Sequence, residues 1–85
     1  MQQYSFDMES VSQQKFIDTN CNSIIFFNAG DATVLIENLL PLEQSQQFAI
    51  DGNEKELLIK RVSVSFVPGS GDVNNLIIIR KNFVQ

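Results

Sequence analysis

From Ser23 to Lys81 the chain is a succession of short apolar runs, each stopped by residues that favour turns. Ile24-Ile25-Phe26-Phe27 ends at Asn28-Ala29-Gly30-Asp31, residues 33–37 end before Pro41, Phe48-Ala49-Ile50 ends at Asp51-Gly52-Asn53, and residues 62–67 end at Pro68-Gly69-Ser70-Gly71. Runs of this length, with turn signals every ~8–12 residues, predict strands, and no stretch holds a 3.6-residue spacing long enough for a helix. Over residues 62–66 the alternation is clean, with Val62, Val64 and Phe66 directed inward and Ser63 and Ser65 outward. Six to eight strands follow. The fold class is all-β, a small antiparallel β-sandwich of jelly-roll-like or immunoglobulin-like kind, with the connectivity open.

Local signals suggest how the strands join. Residues 23–28 and 32–38 read as a hairpin through Ala29-Gly30-Asp31, with Gly30 supplying a positive φ. That register sets Phe26 against Val34 and Ile24 against Ile36 on one face, and Phe27 against Thr33 and Ile25 against Leu35 on the other. Both faces are then apolar, so one serves the core and the other needs cover. Residues 39–46 read as a crossover, because Pro41 cannot donate to a ladder. The last strand, 75–84, is expected to return as a hairpin about Ser70, which places Lys60 opposite Arg80.

The first 22 residues are the most polar and least regular part. Residues 3–8 alternate loosely, with Tyr4, Phe6 and Met8 on one face. Residues 9–14 are a polar linker, and residues 15–18 form a weak second strand. The chain therefore divides into an N-terminal arm or irregular first strands (1–22) and a β-sandwich domain (23–85).

Composition narrows the chemistry. Eighty-five residues enclose one core. Cys21 is the only cysteine and histidine is absent, so neither an internal disulfide nor a Cys/His zinc site can form, and oligomerisation is left as the support for a small core. Without histidine the commonest general base is missing, and Gly69-Ser70-Gly71 lacks the flanking residues and helix of a nucleophile elbow. No enzyme and no cofactor is expected. Asp51-Gly52-Asn53-Glu54 carries oxygen ligands at alternate positions but fits a β-turn better than a calcium loop. The net charge of −4, scattered along the chain, disfavours nucleic acid. No apolar run is long enough to span a bilayer, and the N-terminus shows no secretory signal, so the chain is expected to be made in a cytoplasm.

Two basic pairs, Lys60-Arg61 and Arg80-Lys81, hold four of the six positive charges. They read either as long stems with solvated heads or as a contact for an acidic partner. Phe26, Phe27, Phe48 and Phe66 are expected in or near the core, and only Tyr4 suits an exposed sugar platform.

Asn28-Ala-Gly-Asp31, Leu40-Pro-Leu42 leading to Phe48-Ala-Ile-Asp-Gly-Asn53-Glu54, and Asn74-Asn-Leu-Ile-Ile-Ile-Arg-Lys81 together resemble small structural proteins of bacteriophages and related mobile elements. The resemblance covers about residues 23–81 and departs where Gln44-Ser45 stands in place of Pro-Gly. It implies a capsid, vertex (penton) or decoration subunit of a virion, homo-oligomeric and in contact with other virion proteins such as a major capsid protein. The alternative is a receptor- or carbohydrate-binding module of a spike or fibre. The residues expected at protein contacts are Tyr4, Phe6, Ile25, Phe27, Leu35, Lys60, Arg61, Arg80, Lys81 and Phe83.

Overall fold

The computed structural model describes residues 3–84. Eight strands run in chain order: β1 (Gln3–Val11), β2 (Lys15–Asp18), β3 (Ser23–Asn28), β4 (Val34–Ile36), β5 (Leu40–Leu42), β6 (Gln47–Ile50), β7 (Arg61–Phe66) and β8 (Leu76–Val84). They form two four-stranded antiparallel sheets, one in the order β1-β8-β3-β6 and the other in the order β2-β7-β4-β5. The pairs β1·β8, β2·β7, β3·β6 and β4·β5 are those of one long hairpin whose tip is the β4–β5 turn, rolled so that β3 also meets β8 and β4 also meets β7. This is jelly-roll topology.

Of the connections between consecutive strands, only β4–β5 stays within one sheet. Its turn places Glu37 and Asn38 at φ 55° and 57°, and Leu39 N donates to Ile36 O at 3.0 Å. Pro41 sits on β5, the outer strand of its sheet, where a missing donor costs least.

Both expected hairpins are therefore corrected. Ile24 and Phe26 pair with Ile50 and Phe48 on one side and with Arg80 and Ile78 on the other, not with β4. The segment after β3 crosses to the second sheet: Ala29 and Gly30 donate to Asn75 O, and Asp31 and Ala32 to Val73 O. Gly30 serves this crossing by close approach rather than by positive φ, since a Cβ there would overlap the carbonyl oxygen of Val73. The fully buried Asn28 side chain locks the crossing, donating to Ala32 O at 2.8 Å and Leu42 O at 2.9 Å and accepting from Gly30 N at 3.1 Å. Likewise β7 and β8 lie in different sheets, so Lys60 does not face Arg80.

Residues 3–22, expected as an arm or irregular first strands, give each sheet a strand. β1 pairs with β8 from Gln3↔Val84 to Val11↔Leu76, and β2 pairs with β7. The core lies between the sheets: Val11, Ile24, Phe26, Leu76 and Ile78 from one pack against Ile17, Val34, Ile36, Leu42, Val62 and Val64 from the other. The Phe26 and Phe48 rings stack at 6.1 Å. As the alternation requires, Val62 and Val64 are buried and Phe66 packs against the core. Phe27, expected near the core, is half-buried on the opposite face of β3 from Phe26.

Candidate protein-contact surface

In antiparallel sheets directly opposed residues share a face, so the pairings of the β1-β8-β3-β6 sheet define rows on its outer side. Tyr4 lies beside Phe83, then Phe6 beside Lys81 and Ser23, then Met8 beside Ile79, Ile25 and Ala49, then Ser10 beside Ile77, Phe27 and Gln47. Tyr4, Phe6 and Met8 are 60%, 62% and 61% exposed. The isoleucines and Phe27 behind them are half-buried.

The face is built by β1, apolar at alternate positions over Tyr4, Phe6 and Met8, and by β3 and β8, apolar on both sides over 24–27 and 76–79. Lys81 is its one basic group: the ammonium lies 4.6 Å from the Tyr4 ring centroid and 4.7 Å from that of Phe83, and the two rings meet edge-on at 6.5 Å. Such cation–π contacts keep the charge against the rings rather than in open water. A shallow depression among Tyr4, Phe6, Ile25, Ile79 and Lys81, closed at one end by Ser23 and Asp51, opens on this face.

Six of the ten expected contact residues, Tyr4, Phe6, Ile25, Phe27, Lys81 and Phe83, thus meet on one surface. The other four do not. Leu35 is on the outer side of the second sheet, opposite Ser65 and Pro41. Lys60 pairs with Glu37 at 3.2 Å and Arg61 with Asp18 at 3.2 Å. Arg80 points inward, opposite in sense to Lys81, and binds Glu9 at 3.0 Å, Asp7 at 3.5 Å and the backbone oxygen of Asp18 at 3.0 Å. The basic patch expected from the two pairs is absent because neighbouring strand residues face opposite ways and β7 and β8 are in different sheets. Met8, expected on one face with Tyr4 and Phe6, belongs to this surface, as do Ile77 and Ile79 of the apolar last strand; in Leu76-Ile77-Ile78-Ile79 no polar position marks which side is outward.

Arg80 closes the β1–β2 end of the core. It shares Glu9 with Lys15, and these two cations hold the Glu9 carboxyl below its ordinary pKa of 4.5, the hydrogen bond from Lys15 contributing most, against the opposing effect of burial. The Cys21 thiol is fully buried, and loss of solvation pushes its pKa up, which makes it a packing residue rather than a nucleophile. Asn53 and Glu56 use their side chains on their own turn: Asn53 Oδ1 accepts from Lys55 N and Glu56 Oε1 from Asn53 N. Among the described residues no cluster of three or more acidic, cysteine or histidine side chains could hold a metal, and no helix is long and apolar enough to cross a membrane.

Fold and surface define a jelly-roll domain with one apolar outer sheet face. No family model matches the chain, and no curated protein matches it. Among solved structures, HutD from Pseudomonas fluorescens SBW25, in a formate condition, is similar over 96% of this chain with a TM-score of 0.71 at 15% identity. At that identity the likeness shows the fold. The chain spans 38% of HutD's length. The expectation of a virion subunit, with its spike or fibre alternative, is corrected here: the fold neighbour is a bacterial protein and not a phage structural protein, and turn-and-strand patterns of the kind quoted above specify a sandwich without specifying its use.

Proposed function

We propose that the chain is a non-enzymatic interaction domain that self-associates through the outer face of the β1-β8-β3-β6 sheet, and that its working form is a homodimer or a multiple of one. The observation that carries this reading is the exposure of Tyr4, Phe6 and Met8 in line on an otherwise apolar sheet face. Contiguous apolar surface of this kind marks association sites in soluble proteins.

A second copy fits this face on size and on charge. Four strands spaced about 4.8 Å apart, with a mean length of about 24 Å, present roughly 450 Å² in projection. Side-chain relief adds to that, so a two-fold contact reaches the ~1,000 Å² total that a specific interface needs. The chain carries a net charge of −4, yet the rows of this face hold no carboxylate; only Asp51 stands at the rim. Two copies can therefore meet here with their like charges turned away. A two-fold axis uses the same patch twice, which suits a mostly apolar surface that is not divided into donor and acceptor halves.

Native mass spectrometry of the wild-type chain and of a Tyr4→Ser/Phe6→Ser double variant tests this. Dimer is expected for the wild type at about 100 µM. The double variant should be monomeric with unchanged far-ultraviolet circular dichroism, because both side chains already lie outside the core. A dimer that survives both substitutions would move the interface elsewhere on the molecule.

A further inference from the structure

The outer strands of the two sheets differ in length. β2 and β6 have four residues each and β5 has three, Pro41 among them, whereas β1 has nine, with neither glycine nor proline. An outer strand of that length is a template for another strand, because half of its backbone groups point away from the sheet.

Which half points away follows from β8. Lys81 O accepts from Asn22 N at 3.0 Å and Phe83 N donates to Asn22 Oδ1 at 2.7 Å, so odd-numbered residues of β8 turn their backbone groups toward β3 and even-numbered ones toward β1. In the β1·β8 register, where Asp7 faces Arg80, the even-numbered residues of β8 meet the odd-numbered residues of β1. Tyr4, Phe6 and Met8 therefore present their N–H and C=O groups to the open edge, where no strand lies among the described residues.

Side-chain charge then selects how two such edges can pair antiparallel about a two-fold axis. Axes through Asp7, Met8 and Glu9 set Asp7 against Asp7, Asp7 against Glu9 and Glu9 against Glu9 in turn. Directly opposed like charges destabilise a strand pair. An axis through Ser5 avoids them but leaves Met8 unpaired within β1. An axis through Phe6 sets Phe6 against Phe6, Tyr4 against Met8, Ser5 against Asp7 and Gln3 against Glu9, and every outward N–H and C=O of Tyr4, Phe6 and Met8 finds a partner. Asp7, whose side chain is 67% exposed beside Arg80, has lone pairs left to accept from a serine hydroxyl.

We propose that two copies of this chain pair through their β1 edges, antiparallel about a two-fold axis at Phe6, to make one continuous sheet in the order β6-β3-β8-β1-β1-β8-β3-β6. This contact goes beyond the face-to-face pairing above: it uses the edge of the sheet and leaves the outer side free. It joins face-paired dimers at concentrations above those at which the dimers form.

Hydrogen exchange of the full chain, followed by NMR at about 1 mM and about 20 µM protein, tests the proposal. The N–H groups of Tyr4, Phe6 and Met8 should slow about threefold or more in the concentrated sample, and more than those of Ser5 and Asp7, which β8 already holds. Ser5→Asp, an exposed substitution on the opposite side of β1 from Tyr4, places a second carboxylate against the partner's Asp7 and should abolish the slowing. Ser5→Lys should enhance it. Phe27→Lys, on the outer face two strands from the edge, should prevent face pairing and keep the slowing, which then supports the edge contact even where the faces do not pair. Exchange at Tyr4, Phe6 and Met8 that is the same at both concentrations in the wild type would overturn the edge contact and leave the face reading intact. Slowing lost in Phe27→Lys but kept in Ser5→Asp would also overturn it, by assigning the effect to the face. Weaker slowing in Ser5→Lys would overturn the axis at Phe6, because an axis at Ser5 sets the two lysines together.

Discussion

At the scale of single residues, burial and pairing fix what each polar group can do. Glu9 is held ionised by Lys15 and Arg80, so its folded pKa lies below 4.5. A carboxyl shifted in that direction adds stability above pH 4.5, and the contribution is lost as pH falls through the lowered folded value. Urea midpoints measured from pH 6 to pH 3 should therefore fall for the wild type, and Glu9→Gln should fall less steeply over the same range. Identical slopes would mean that the three-residue cluster does not contribute to folding. Cys21 makes the opposite case: fully buried, with its pKa raised, it should react with a thiol reagent only as fast as the domain opens. Rapid labelling under native conditions would contradict its placement in the core. Gly30 is limited by space rather than by dihedral angle, since the Val73 carbonyl occupies the position a Cβ would take. Gly30→Ala is expected to cost about 1–3 kcal/mol in chemical denaturation, with the loss arising from displacement of residues 73–75.

At the scale of elements, strands were legible in the sequence and their partners were not. Residues 23–28, 48–50 and 62–66 declare themselves by apolar runs between turn residues. β5 did not, because Pro41 argues against any strand except an outer one, and only the finished sheet shows that β5 is outer. The sequence favours hairpins at 23–38 and 60–84 because consecutive strands usually neighbour each other. Here the chain changes sheets at nearly every connection, and what directs it across is tertiary: the Asn28 side chain bridging Ala32 and Leu42, and the loop at 29–32 bonding to 73–75. The contact face was half legible for the same reason. Two-residue periodicity pairs Tyr4 with Phe6, Ile25 with Phe27 and Lys81 with Phe83, but joining these pairs into one surface requires the β1·β8·β3 order. β1 is an integral strand along all nine of its residues. Deleting residues 1–11 should therefore unfold the domain, or leave it with native circular dichroism lost below ambient temperature, rather than free a folded sandwich from its arm.

At the scale of the whole molecule, the small core and the large apolar face belong together. The domain measures 46 × 19 × 16 Å, and β1 and β8 run on together beyond β3 at residues 3–5 and 82–84, carrying Tyr4 and Phe83. An 85-residue chain without a disulfide buries a limited core. The proposed self-association would cover a second apolar surface, supply stabilisation that the monomer lacks and make stability depend on protein concentration. Sedimentation equilibrium of the wild-type chain over a dilution series measures this directly. The account predicts a reversible monomer–dimer equilibrium, displaced toward monomer by at least tenfold in Kd on Phe6→Ser; a single monomeric species at every concentration would contradict it.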